Sequence, residues 1–168
     1  MKKLLTTIIT TLLALSLNLF ADNMEMIDTN GTHYKVVAEG NSIKVEGMEG
    51  KVVLLQFFGL RCPACRKEIP TLINLQKKYP NKLKIMAIEV QKNDVDPINK
   101  FKQKHSINYT TFSNFDVGYV VRYIIEKSKW QGEIPFMVAI DSKGQVQFTK
   151  AGLMDEKTLD AYIMQFSN

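Results

Sequence analysis

The chain has 168 residues, of which 45% are hydrophobic and 23% are charged, with a formal net charge of +5. These values are ordinary for one globular domain, and they argue against a largely disordered chain. A chain of this length buries enough surface to fold without a disulfide or a metal ion. If the N-terminal segment containing Lys2 and Lys3 is removed, the net charge falls to +3, which is too small to indicate a nucleic-acid-binding protein.

Residues 1–21 have the pattern of a secretory signal peptide. Two lysines precede an uncharged run from Leu4 to Phe20, and Ala21 is a small residue at a suitable cleavage position. This pattern predicts export to the periplasm of a Gram-negative bacterium and a domain spanning residues 22–168. The alternative is an uncleaved membrane anchor, although an interrupted run of about 17 residues is at the lower limit for a spanning helix.

The first half of the predicted domain contains three strands and a helix. Short runs bounded by glycine turns predict an N-terminal β-hairpin formed by His33 to Ala38 and Ser42 to Glu46. Lys51 to Phe58 is a nearly continuous apolar run, typical of a strand that is buried on both faces. Apolar residues at helical spacing then predict a helix from the Cys62 region to Tyr79, with Pro70 inside it.

The second half of the chain alternates between strands and helices before a final hairpin and helix. Strands are predicted at Leu83 to Val90, Tyr109 to Phe112, Phe136 to Asp141 and Gln145 to Ala151, and helices at Val95 to His105, Phe115 to Ile125 and Asp155 to Phe166. This order predicts the α/β class, with a mixed central sheet flanked by helices.

Both cysteines of the chain lie in one Cys62-Pro63-Ala64-Cys65 segment at a predicted strand-to-helix junction. A disulfide that closes so short a loop adds little chain-entropy stabilisation, so this spacing favours redox exchange. The start of a helix stabilises a thiolate, and Arg61 adds positive charge beside it. We therefore expect Cys62 to attack substrate sulfur and Cys65 to resolve the mixed disulfide.

The rest of the sequence bears on whether the two cysteines bind a metal or attach a haem instead. Haem attachment requires a histidine where this chain has Arg66, and a zinc site requires four ligands where the sequence offers only the separate His33 and His105. We therefore predict no metal site and no cofactor besides the redox-active disulfide. A structural disulfide and a non-enzymatic Cu(I) carrier that uses the two thiolates stay open as alternatives.

Ile134-Pro135 precedes the first strand of the late hairpin. A proline in this place can simply mark the start of a strand. The alternative, favoured by the Cys-x-x-Cys helix, is a cis-proline loop packed against the cysteines. In that loop the Ile134 backbone would be open to pairing with a substrate peptide.

Three segments together resemble the thioredoxin-like family of exported thiol-disulfide oxidoreductases typified by TlpA and ResA: KVVLLQFFGLRCPACRKEIPTL, LKIMAIEV and EIPFMVAIDSKGQVQFTKAG. The resemblance covers about residues 30–166. It implies a thioredoxin fold, Cys62 as nucleophile, Cys65 as resolving thiol and Pro135 as cis-proline. It also implies reduction of disulfides in exported proteins, often in cytochrome c maturation, with electrons from a membrane thiol transporter.

The chain departs from this family pattern in ways that bear on its chemistry. Arg61 stands where the family usually has tryptophan, and Gln56 stands where thioredoxins place a buried acid. Glu89 is the predicted substitute proton acceptor, and the alternative is that it is an ordinary surface acid. The connector 126–133 is longer than usual and contains Trp130. We expect this connector to overhang the active site and to shape partner choice, with Trp130, Pro63, Ala64 and Ile134 as substrate-contacting residues. The alternative is that Trp130 is a core anchor. A thiol oxidase or isomerase is the alternative enzymatic activity.

Overall fold

The computed structural model describes residues 22–167, so the predicted signal peptide lies outside the described residues. None of the helices within this range is long and apolar enough to cross a membrane. The strands are β1 (Asp22–Ile27), β2 (His33–Glu39), β3 (Ser42–Val45), β4 (Val52–Phe58), β5 (Leu83–Glu89), β6 (Thr110–Ser113), β7 (Phe136–Ile140) and β8 (Val146–Ala151). The helices are α1 (Pro63–Lys78), α2 (Val95–Lys104), α3 (Gly118–Ser128) and α4 (Glu156–Phe166).

A five-stranded mixed sheet in the order β6-β5-β4-β7-β8 forms the centre of the domain. The strands β4, β5 and β6 are parallel, whereas β7 and β8 run antiparallel to their neighbours. Every residue of β4 is buried, because this central strand is covered on both faces. The structure thus confirms the predicted mixed sheet flanked by helices.

Two hydrophobic clusters cover the two faces of this sheet. One cluster joins alternate residues of β4 to the inner faces of α1 and α4, including Leu72, Leu75, Leu159 and Ile163. The other joins the remaining residues of β4 to α3 and to the N-terminal strands. The alternation along β4 therefore places Gln56 on the face of α1 and Phe57 on the opposite face.

The predicted N-terminal hairpin is confirmed, and β1 adds a third strand that the sequence patterns did not predict. This small sheet reaches both edge strands of the main sheet. In the turn after β1, the Thr29 amide donates to the Thr111 carbonyl of β6, and the Val146 amide of β8 donates to the Asn41 carbonyl in the turn between β2 and β3. The small sheet therefore helps to protect edges that would otherwise be open to pairing with another chain.

The predicted helix after β6 begins later than its apolar spacing indicated. Residues Asn114–Asp116 form a separate 3-10 turn, whose start is capped by the Ser113 side chain. The helix α3 itself begins at Gly118 and ends at Ser128, so it includes the first residues of the predicted polar connector.

Candidate active site

The two cysteines form a disulfide at the N-terminus of α1, directly beyond the end of β4. The turn between the strand and the helix is closed by a hydrogen bond from the Cys62 amide to the Gly59 carbonyl, 3.1 Å long. Cys62 is the N-cap residue, and its Sγ accepts a hydrogen bond from the Cys65 amide at 3.0 Å. When the disulfide is reduced, this amide and the helix dipole favour a negative charge on the Cys62 sulfur.

The two sulfur-bearing residues differ in their access to solvent. Cys62 is 7% exposed and Cys65 is 1% exposed, because the second cysteine lies one turn further into the packed helix. A substrate sulfur therefore meets Cys62 first. This difference in exposure favours the predicted division of roles, which stays a prediction.

The Ile134–Pro135 peptide bond is cis, and it lies against the disulfide. The Ile134 carbonyl oxygen is 3.7 Å from Cys62 Sγ. The Pro135 carbonyl accepts a hydrogen bond from the Gly152 amide at 2.8 Å, which connects this loop to the end of β8. The structure thus brings together Cys62, Cys65, Ile134 and Pro135, which are far apart in the sequence.

A buried acid to which the sequence analysis assigned no role, Glu68 of the Glu-x-Pro segment, lies one helical turn after Cys65. Its side chain is 3% exposed, and its carboxylate accepts hydrogen bonds from Gln56 Nε2 at 2.6 Å and from the Met154 amide at 3.1 Å. Burial raises the pKa of Glu68 above its ordinary value, and these two hydrogen bonds oppose that rise. The spacing of three residues from Cys65 on the apolar face of α1 was the available signal.

Glu89 is fully buried at the end of β5, so the interpretation of this residue as a surface acid is wrong. Its carboxylate accepts hydrogen bonds from the backbone amide of Gln91 and from both the amide and the side chain of Asn93. These contacts hold the loop that follows β5. A role for Glu89 as proton acceptor stays a prediction, whereas the acid in contact with Gln56 is Glu68.

The remaining predicted site residues lie next to the disulfide, except for Trp130, which packs against the core. Arg61 and Pro63 are exposed, and Ala64 is half-buried at the start of α1. The half-buried Trp130 packs its ring against the core, with its centroid 4.8 Å from that of Phe57 and 5.5 Å from that of Phe136. Its Nε1 donates to the Glu133 carbonyl, so this side chain anchors the connector that leads to the cis-proline.

Comparison with known proteins agrees with this fold and site. Residues 24–149 match the AhpC/TSA family. The thiol-disulfide oxidoreductase ResA of Bacillus cereus is 24% identical over 151 residues, which are 88% of this chain and 83% of that protein.

Two solved structures share the fold. A thiol:disulfide interchange protein of the thioredoxin family from Chlorobium tepidum has a TM-score of 0.67 and 18% identity, and the match covers 87% of this chain and 94% of that one. StoA from Bacillus subtilis has a TM-score of 0.61 and 16% identity, over 83% of this chain and 95% of that one. The chain therefore belongs to the AhpC/TSA family, and it is a thiol-disulfide oxidoreductase of the ResA type with a thioredoxin-like fold.

Proposed function

We propose that this protein is exported to the periplasm, where it reduces disulfides of other exported proteins. The observation that carries the proposal is the placement of Cys62 Sγ at the start of α1, 3.7 Å from the Ile134 carbonyl of the cis-proline loop. An extended substrate segment can pair with the backbone of that loop while its sulfur approaches Cys62. The sequence of residues 1–21 supports export.

The exchange takes place in two steps that transfer two electrons. In the first step, the Cys62 thiolate attacks one sulfur of the substrate disulfide. The substrate S–S bond breaks, a mixed disulfide with Cys62 forms, and the departing substrate thiolate takes a proton. In the second step, the Cys65 thiol loses its proton and attacks Cys62 Sγ, which releases the second substrate thiol and oxidises the pair.

Glu68 is the group that we assign to accept the Cys65 proton. It lies one turn further along the same helix, it is buried with Cys65, and burial raises the pKa of its carboxyl group. A carboxyl group with a raised pKa takes up and returns a proton more readily near neutral pH than an ordinary one does. Gln56, being a neutral amide, orients this acid through the hydrogen bond from its Nε2.

The enzyme must then be reduced again before the next cycle. The chain has no third cysteine, so the electrons must come from a dithiol in another protein. A membrane thiol transporter that delivers electrons to the periplasm fits this requirement. Apocytochrome c whose haem-binding cysteines have formed a disulfide is the substrate class that the ResA resemblance suggests.

Trapping of mixed disulfides tests the assignment of the two cysteines. Cys65→Ser should accumulate disulfide-linked complexes with exported proteins through Cys62, because the resolving step is blocked. Cys62→Ser should accumulate few or none. Immunoblots of non-reducing gels from cells that express each variant measure this difference, and complexes found mainly with Cys62→Ser would contradict the assignment.

The redox state of the pair in intact cells tests the direction of electron flow. The hydrogen bond from the Cys65 amide to Cys62 Sγ favours the reduced form, and this makes the disulfide more oxidising. That observation favours the alternative activity of a thiol oxidase or isomerase. Alkylation of free thiols after acid quenching should show a mainly reduced pair that becomes oxidised when the membrane donor is deleted; a mainly oxidised pair in both strains would support the oxidase.

A further inference from the structure

One side chain of the loop that follows β5, that of Gln91, contacts the turn that precedes Cys62. Gln91 Oε1 accepts a hydrogen bond from the Arg61 amide at 3.0 Å. The same side chain lies over Gly59, where an added Cβ atom would come within 2.4 Å of Gln91 Cδ and 2.6 Å of Gln91 Oε1. Gly59 therefore leaves the space in which the Gln91 amide group reaches Arg61.

Gln91 is itself held in place by the buried carboxylate of Glu89. Glu89 Oε1 accepts from the Gln91 amide at 3.1 Å and from Asn93 Nδ2 at 2.8 Å, and Oε2 accepts from the Asn93 amide at 2.9 Å. The carbonyl of Asn93 accepts in turn from the Ser113 hydroxyl at the end of β6, at 3.0 Å. The loop is thus attached to two strands of the sheet at the edge where Cys62 lies.

The turn that carries Cys62 is fixed by two hydrogen bonds at consecutive amides. The Cys62 amide donates to the Gly59 carbonyl within the turn, and the Arg61 amide donates to Gln91 from outside it. These two peptides orient Cys62, whose sulfur must come within 3.0 Å of the Cys65 amide. Because a hydrogen bond weakens steeply once its angle falls below about 120°, a rotation of the turn that moves the sulfur out of line with the Cys65 amide weakens that contact.

We propose that Gln91, held by Glu89, is a positioning residue that sets the place of the Cys62 sulfur at the N-terminus of α1. The proposal rests on the role of Cys62 as the attacking sulfur in the proposed function. It assigns Glu89 a purpose other than proton transfer, because its carboxylate holds the loop from which Gln91 extends.

Two substitutions remove the Gln91–Arg61 hydrogen bond by different routes. Gln91→Met keeps the length of the side chain but removes the acceptor. Gly59→Ala places a methyl group where the Gln91 amide group lies, and Gly59 has a φ outside the left-handed region, so alanine suits its backbone. Neither change alters the charged residues of the site, namely Arg61, Arg66, Lys67 and Glu68 beside the cysteines and Glu89 on β5.

The test is the pH dependence of alkylation of Cys62 by iodoacetamide in the fully reduced chain, followed by mass spectrometry of the two cysteine peptides. A less well-placed sulfur loses part of its stabilisation as thiolate, so its pKa rises in both variants. We expect the alkylation rate at neutral pH to fall about three- to tenfold, with an unchanged plateau at alkaline pH. The double variant should show no larger effect than either single one, because both remove the same bond.

Gln76→Met is the matched control. Gln76 Oε1 accepts from the Ile85 amide at 2.8 Å and its Nε2 donates to the Leu83 carbonyl at 3.0 Å, near the other end of α1. This variant should lose stability without a change in the pH profile of Cys62. An unchanged profile in Gln91→Met and Gly59→Ala, or an equal shift in Gln76→Met, would overturn the proposal.

The same experiment separates this proposal from the proposed function. Preferential alkylation of Cys65 in the unsubstituted chain would contradict the assignment of Cys62 as the attacking sulfur. A shift of the Cys62 profile in both variants would support the positioning role whether the pair donates or accepts electrons in the cell.

Discussion

Gln56 and Glu68 show how a buried acid is placed on the same helix as the cysteines. Gln56 lies on the central strand β4 and Glu68 on α1, and a hydrogen bond of 2.6 Å joins them across the packed layer. The acid therefore reaches the site from the helix rather than from the strand. Since only one amide side chain and one backbone amide bind its carboxylate, burial dominates and raises its pKa.

Glu68→Gln should change how stability depends on pH. The pKa of Glu68 in the folded protein lies above its ordinary value of 4.5, so between those two values the folded state binds more protons than the unfolded state. Stability from this group is therefore full below pH 4.5 and decreases as the pH rises through the folded-state pKa. Urea unfolding across this pH range should show a smaller decrease in the free energy of unfolding for Glu68→Gln than for the parent. The exposed Glu126→Gln is the control and should behave like the parent. Equal decreases in Glu68→Gln and the parent would contradict the burial effect.

The connector between α3 and β7 is an anchored element. Its first residues, 126–128, belong to the last turn of α3, and its Trp130 ring packs against Phe57 and Phe136. The connector then leads directly to the cis-proline beside Cys62. A deletion of residues 127–132 would therefore remove a helix end and a packed aromatic ring, so a single substitution tests this element more cleanly.

Trp130→Ala should destabilise the protein by about 2–3 kcal/mol, below the range for a fully buried tryptophan because this side chain is half-buried. Loss of the anchor should also loosen the cis-proline loop, to which we propose that substrate binds. Urea unfolding measures the first effect, and the ratio of insulin reduction to reduction of a small aromatic disulfide measures the second. The control Tyr119→Ala removes an aromatic side chain that is 76% exposed, and it should change stability by less than about 0.5 kcal/mol; equal effects of the two substitutions would refute the anchor.

At the scale of the whole molecule, the N-terminal sheet is a structural layer of the domain. Met26, Val36, Ala38, Ile43 and Val45 are all buried in the cluster that covers one face of the main sheet. The same layer contacts both edge strands through backbone hydrogen bonds. The β-hairpin extension expected from the sequence is therefore part of the core.

A chain that lacks residues 22–47 should not fold cooperatively, although it keeps the Cys-x-x-Cys helix and the cis-proline. Removal of this N-terminal layer exposes a large apolar face of the main sheet, and burial of that face drives folding. Thermal unfolding followed by circular dichroism, together with binding of a hydrophobic dye, should show a broad transition and an exposed apolar surface. Val37→Ser, on the outer side of β2, is the control and should unfold like the parent; a sharp transition in the shortened chain would contradict the structural role of this layer.

The elements of the sheet and the position of the disulfide were predictable because their signals are local. The apolar run of β4, the Cys62–Cys65 spacing at the start of α1 and the proline before β7 each lie within a few consecutive residues. The alternation of strands and helices then restricted the topology to a few arrangements.

By contrast, β1 was not predictable from its pattern. Its sequence is DNMEMI, which lacks the β-branched and aromatic residues that signal a strand, apart from its last residue. Pairing with β2 and burial of Met26 against the sheet make it a strand, and both are tertiary effects.

By itself, the sequence determined that this protein has a single redox pair at the start of a helix in a mixed α/β domain. Only the tertiary structure decided which groups surround that pair. The contacts between Gln56 and Glu68 and between Arg61 and Gln91 join residues that are 12 and 30 positions apart, and Ile134 reaches Cys62 over 72 positions. Such contacts depend on how β4, β5, α1 and β7 pack together, and a local pattern carries no information about that packing.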